Sequence, residues 1–326
     1  MNALRKLIAA TMTVLSLATV AWTQFPGGGP PPMRRHTTTQ STGKLQLVPD
    51  SKKSAGKNQV SIKVDGDLRV IRANGIPNHP TGAFPNRGNP NRITAQKYFF
   101  RIPAQPAAAK RTTPLGMQDF GIAINGVPFD PGAAEFYLGD RQSGWQYEAL
   151  SGAVPLGIDE NYAHVQPTGA YHYHGLPTAL LEILGLQKEK HSPLVGWAAD
   201  GFPIYAVYGY ADAKDADSEV KPLASGYRLK PGRRPSGRGA PGGRHDGTFV
   251  ADYEFVEGAG DLDECNGRFC TTPEFPDGTY AYFLTEDWPV IPRAFRGTPS
   301  GDFERRRPPG GRGRRPPPRP RRPGDL

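Results

Sequence analysis

Gln59-Val60-Ser61-Ile62-Lys63-Val64-Asp65-Gly66-Asp67-Leu68-Arg69-Val70-Ile71 is the stretch whose reading decides the fold class. Apolar and polar residues alternate on both sides of Asp65-Gly66, so each arm presents one apolar face when extended. An Asp-Gly pair between two such arms is the strongest short-range hairpin signal, because glycine accepts the backbone angles of a tight reversal. The arrangement recurs along the chain. Phe120–Ile124 leads through Asn125-Gly126 into Val127–Phe129, and Val195–Ala199 leads through Asp200-Gly201 into Phe202–Tyr208. Later, Pro276-Asp277-Gly278 precedes the aromatic run Thr279–Leu284. Helical periodicity is confined to one place. Pro177 suits a first turn, Leu180, Leu181 and Leu184 share a side, and Gly185 can end the helix. The pattern predicts a mainly β protein: a single antiparallel sandwich or barrel-like domain with one short helix. Doubly wound folds are excluded because the helices they require are missing.

Composition divides the chain into four parts. Residues 1–23 read as a signal peptide, with Arg5 and Lys6 ahead of the apolar run Leu7–Val20 and small residues before Gln24. That run is short for a membrane span, and the remaining chain has no candidate, so the mature protein is expected to carry no transmembrane helix. Residues 24–57 read as a flexible leader rich in Pro, Gly, Ser and Thr at its start. The β domain is expected over 58–297, with a surface insertion near 211–247 built around Pro231-Gly232-Arg233-Arg234-Pro235. Residues 298–326 form a Pro/Arg/Gly tail expected to be disordered. The formal charge of +9 belongs largely to that tail, where nine arginines face three carboxylates, so the body is nearly neutral. The tail's arginine-rich run from Arg305 has no interleaved aromatic residues for base stacking, which argues against specific nucleic-acid recognition and leaves anionic polymers as its partner class.

The familiar catalytic signatures are absent. There is no Gly-x-Ser-x-Gly, His-Glu-x-x-His or phosphate loop, and no Gly-x-Gly-x-x-Gly between a strand and a helix as a dinucleotide fingerprint requires. What remains is Gly169-Ala170-Tyr171-His172-Tyr173-His174-Gly175. In a strand, residues two apart point to one face, so His172 and His174 should project together, ~6.6 Å apart along the chain, with Tyr171 and Tyr173 on the other side. Two such imidazoles can converge on one ion. His164, His79, His191 or Asp200 could supply a third ligand and leave a position for water or substrate. An imidazole-rich set suits copper or zinc, and a mixed set with a carboxylate also admits iron. The rival arrangement has each histidine hydrogen-bonded within a β core. His36 and His245 lie in the leader and the insertion and are poor candidates. Cys265 and Cys270 enclose Asn266-Gly267-Arg268-Phe269, where an Asn-Gly reversal and an oxidising compartment would favour a disulfide over a metal pair.

The segment 159–177, with Asn161, His164, Gly169 and the Tyr-His-Tyr-His run, resembles the YHYH domain family, which is named for that motif. The resemblance continues through His191–Gly196, Asp200–Tyr205, Leu262–Arg268 and Thr279–Thr285, and earlier blocks at Asn74–Pro80 and Asn125-Gly126-Val127 belong to it. It implies an exported bacterial protein, secreted, periplasmic or on the cell surface, and brings no established reaction. Three functions stay open: a metal-binding domain, a non-catalytic envelope-associated module, or a metal-dependent hydrolase or oxidase acting on a small molecule or envelope component.

Overall fold

The computed structural model describes residues 38–304 apart from Ser54; the predicted signal peptide, the start of the leader and the tail from Arg305 lie outside the described residues. The chain is mainly β, with several antiparallel sheets and, among the described residues, one α-helix. The hairpin that opens the sequence forms as Val60–Asp65 against Leu68–Ala73. Asp65 pairs with Leu68, so the two-residue loop is Gly66-Asp67, with Gly66 at φ +59°. Tyr98–Pro103 adds a third strand. The buried face of this sheet carries Ile71, Phe100 and Ile102 into the main core.

The largest sheet has eight strands in the order Gly267–Thr272, Phe275–Leu284, Pro203–Ala206, Gly196–Ala198, Gly121–Ala123, Pro128–Phe129, Tyr171–Tyr173 and Ala163–Val165. The Asn125-Gly126 and Asp200-Gly201 hairpins both form within it, with Gly126 at φ +80° and Gly201 at φ +93°. Two pairings are parallel: Pro203–Ala206 with Phe275–Leu284, and Pro128–Phe129 with Tyr171–Tyr173. The second of these matters for the site, since it sets a distant segment beside the Tyr-His run. Phe120, Phe129, Tyr173, Trp197 and Tyr282 fill the core between the sheets. The helix is Thr178–Ile183, with Pro177 at its N-cap, Leu180 and Leu181 buried, and Gly185 at φ +74° just beyond its end.

Five expectations are corrected. The leader does not stay flexible to residue 57. Gly43 N–H donates to Ser151 O (2.9 Å), Val48 N–H to Ile158 O (2.8 Å) and Ser51 N–H to Thr81 O (2.8 Å), and Leu45 and Leu47 pack against the buried cluster that includes Val154 and Ile158. Three apolar side chains within four residues (Leu45, Leu47, Val48) give this segment enough to bury. The tail likewise begins later than 298. Phe303 is buried and stacks on Phe100 with ring centroids 4.1 Å apart, while Asp302 pairs with Arg101. The insertion is not wholly superficial, because Arg234 is 3% exposed and bonds Asp252, which is 0% exposed. Pro276-Asp277-Gly278 is not a turn. It lies inside Phe275–Leu284, the reversal falls at Pro273-Glu274, and the register shift between Cys270 and Thr272 absorbs the proline.

The disulfide is the fifth correction. Cys265 and Cys270 are both free and buried. Asn266 takes φ 54°, but Gly267 then starts an extended strand that carries Cys270 three residues, ~10 Å, away. The two sulfurs enter different apolar clusters, Cys265 with Tyr280 and Tyr282, Cys270 with Tyr205 and Phe283.

Candidate metal centre

Three neighbouring strands bring the candidate side chains together. Ala163–Val165 and Tyr171–Tyr173 form a hairpin whose register sets His164 directly opposite His172. Its loop closes at Gly169, with φ +84° and its N–H donating to Gln166 O (2.8 Å). A side chain there would strike Thr94, so glycine is required twice over. Alternation along the middle strand then places His172 and His174 on the face that His164 shares, and Tyr171 and Tyr173 on the other, as the sequence predicts.

His164, His172 and His174 form a triad with ring centroids 4.6, 4.6 and 4.8 Å apart, all edge-on. One ligating nitrogen from each lies within 4.8 Å of the others. His172 and His174 are 2% and 1% exposed, and His164 is half-buried. Nδ1 of His164 lies 3.0 Å from Leu156 O, and Nδ1 of His172 lies 3.1 Å from Ala170 O. A carbonyl can only accept, so in both rings Nδ1 carries the proton and donates it. In the neutral ring this places the lone pair on Nε2, the tautomer that metal-ligating histidines commonly take. Nε2 of His172 stands 3.1 Å from Nε2 of His174. Two nitrogens on one tetrahedral ion with ~2.0 Å bonds are ~3.3 Å apart. A hydrogen bond between the rings is the other arrangement this separation allows.

Asp130 is the residue sequence reasoning missed. It follows Pro128–Phe129, the parallel neighbour on the other side of Tyr171–Tyr173, and its N–H donates to Tyr173 O (2.9 Å). Phe129 packs against Tyr173 with ring centroids 5.7 Å apart, so the next residue turns to the histidine face. There Asp130 Oδ2 lies 3.7 Å from His172 Nε2 and accepts from Gln166 Nε2 at 3.1 Å.

His79 and Asp200 are not brought to the triad. His79 lies on the tyrosine face, where Nδ1–H donates to Pro80 O (2.7 Å) and Nε2 accepts from the Tyr173 hydroxyl (2.6 Å). Both ring nitrogens are thereby committed. Asp200 caps its hairpin, accepting from the Tyr282 hydroxyl (2.5 Å), Gly297 N–H (2.8 Å) and Phe202 N–H (3.4 Å). His191 packs among Tyr205, Tyr210 and Phe283.

The tyrosine face holds the strand in place. Asp159 accepts from the Tyr171 hydroxyl (2.7 Å) and from the N–H groups of Gly82, Asn161 and Ala163 (3.0, 3.0 and 3.2 Å). Burial pushes its carboxyl up from 3.8 to about 6, against the downward pull of those four donors. A carboxyl whose folded value exceeds its unfolded one binds its proton more tightly when folded. Its stabilising contribution is therefore complete below pH ~4 and is lost as pH rises through 6. In chelator, the stability advantage of the wild type over Asp159→Asn should grow by ~2 kcal/mol between pH 7 and pH 4.5, read from urea midpoints. Parallel curves for the two proteins would contradict the assignment.

Among the described residues no helix is long and apolar enough to cross a membrane. Comparison with known families matches residues 99–297 to the family described as YHYH protein. No curated protein and no solved structure matches. The matched span takes in every strand of the eight-stranded sheet together with Asp130, His164, His172 and His174, and on it the chain belongs to the YHYH protein family.

Proposed function

We propose that this domain binds one transition-metal ion, zinc or copper before iron, through Nε2 of His164, His172 and His174. The observation that carries the reading is the pair of backbone carbonyls that accept from Nδ1–H of His164 and His172 and so place the lone pair on Nε2, beside His174 Nε2 at 3.1 Å from that of His172. Three nitrogen donors without sulfur favour zinc or copper over harder ions. The signal-like start of the sequence supports export as the setting, so the ion would be taken up outside the cytoplasm. There the Arg/Pro tail would adhere to anionic envelope polymers.

The burial of His172 and His174 supports a non-catalytic role for the ion, close to the envelope-module function. It works against a hydrolase or oxidase acting on a polymer, whose bond would have to reach nitrogens inside the sheet. The test is thermal denaturation of tag-free, chelator-stripped protein against added zinc or copper. At a hundredfold excess over Kd, binding to the folded state alone adds ~2.7 kcal/mol. For a domain of this size that is a rise of about 5–10 °C in Tm. No rise with either metal at saturating concentration would sink the proposal.

A further inference from the structure

We infer that Asp130 is the fourth ligand of the same ion, which makes the centre closed and structural rather than catalytic. This rests on the metal-binding reading above and goes one step further, to what the ion can do there.

The strand geometry leads to Asp130 independently of the histidines. The middle strand, Tyr171–Tyr173, has two neighbours, and each contributes to the same face: Ala163–Val165 gives His164, and the segment after Pro128–Phe129 gives Asp130. Its Oδ2 lies 3.7 Å from His172 Nε2, and the two side chains are 4% and 2% exposed. Ligand atoms on a tetrahedral ion with ~2.0 Å bonds stand ~3.3 Å apart, so this pair is within a few tenths of an ångström of the requirement. Asp130 stands outside the trio of nitrogens already within 4.8 Å of one another and has to move toward it. The carboxylate is also oriented. Gln166, two residues beyond His164, donates to Oδ2, and Gly132 N–H donates to Oδ1 at 3.3 Å. Ligating carboxylates are commonly held by such hydrogen bonds.

Four protein donors fill a tetrahedral zinc site, and closed sites of that kind are structural, whereas catalytic ones keep a position for water or substrate. The ion would tie the hairpin that carries His164, His172 and His174 to the segment at Asp130, which is more than thirty residues away in sequence. A small negative group also balances the charge that a divalent ion brings into a buried place.

Cobalt substitution tests this without any assay of activity. Stripped, tag-free wild type loaded with Co2+ should give the intense visible bands of four-coordinate cobalt, unchanged by azide. Asp130→Ala should bind zinc roughly 10- to 100-fold more weakly in a chelator competition. Its cobalt bands should shift when azide takes the vacated position. Asp130→Asn keeps an acceptor for Gly132 and guards against a folding defect; it should show the same loss with an unchanged far-UV spectrum. Wild-type bands that azide alters as strongly as those of Asp130→Ala, or equal zinc affinity in all three proteins, would overturn the role of Asp130 while leaving the triad intact. Failure of the wild type to bind either metal would overturn the triad and this inference together.

Discussion

His172→Ala should lower the affinity for zinc or copper by about 100-fold or more while leaving the β domain folded. The magnitude follows from position: His172 is central, with Nε2 at 3.1 Å from His174 Nε2 and 3.7 Å from Asp130 Oδ2. Removing even a supporting group around a metal costs about 10- to 100-fold, and a ligand should reach or pass the upper end. The fold should survive because the tyrosine face of the strand is untouched. Tyr171 stays bonded to Asp159, and Tyr173 to His79 and Asn125. What is lost is one ring from the interior and the hydrogen bond to Ala170 O, together ~1–3 kcal/mol. Zinc titration followed by chelator competition gives the affinity, and urea denaturation in excess chelator gives the stability. His174→Ala should behave alike. A His172→Ala protein that binds zinc as tightly as the wild type would mean that the triad is a hydrogen-bonded cluster and nothing more.

Asp252→Ala should destabilise the protein by about 3–5 kcal/mol, without any effect on metal affinity. Asp252 accepts from Arg234 Nε (2.7 Å) and Nη2 (2.6 Å), and from the N–H groups of Gly247 and Phe249 (3.1 Å each). Arg234 is 3% exposed and also reaches Asp246 and the Gly242 carbonyl. Truncating the acid leaves a buried guanidinium short of one of its two carboxylates and two amides without their acceptor. Breaking a buried pair from one side is much costlier than replacing both partners. Equilibrium unfolding in urea measures the loss. A change below ~1 kcal/mol would show that the 211–247 segment opens without disturbing the core, as its composition implies.

That segment marks a limit of what the sequence discloses. Gly and Pro around Arg233-Arg234 describe a loop correctly, yet nothing local distinguishes Arg234, which is buried, from Arg233, which is exposed. The difference is made by Asp252, eighteen residues on. The legible parts were those whose cause is local. Asp65-Gly66, Asn125-Gly126 and Asp200-Gly201 each sit at a reversal because the glycine conformation and the flanking alternation act within a few residues. The face shared by His172 and His174 was legible for the same reason, whereas His164 stood as one of four candidates until the hairpin pairing set it opposite His172. Asp130 was not, because its place depends on a parallel pairing between Phe129 and Tyr173, and parallel pairs carry no turn signal. His79 and Asp200 went astray for a different reason. Their residue types suit a metal, but Tyr173 in one case and Tyr282 in the other lie close enough to claim the ligating atoms. Cys265 and Cys270 were close in number and compatible in compartment. The extended strand from Gly267 separates them, and its length is set by pairing with Phe275–Leu284 rather than by the four residues between them.

The metal content of the protein as purified is the most direct measurement. Full-length protein expressed without a histidine tag and purified without chelator should carry close to one zinc or copper per chain by elemental analysis. His172→Ala/His174→Ala prepared in parallel should carry almost none, with the same far-UV spectrum. A wild type that is metal-free, remains so after incubation with either ion, and matches the double variant in Tm under all these conditions would contradict the metal centre.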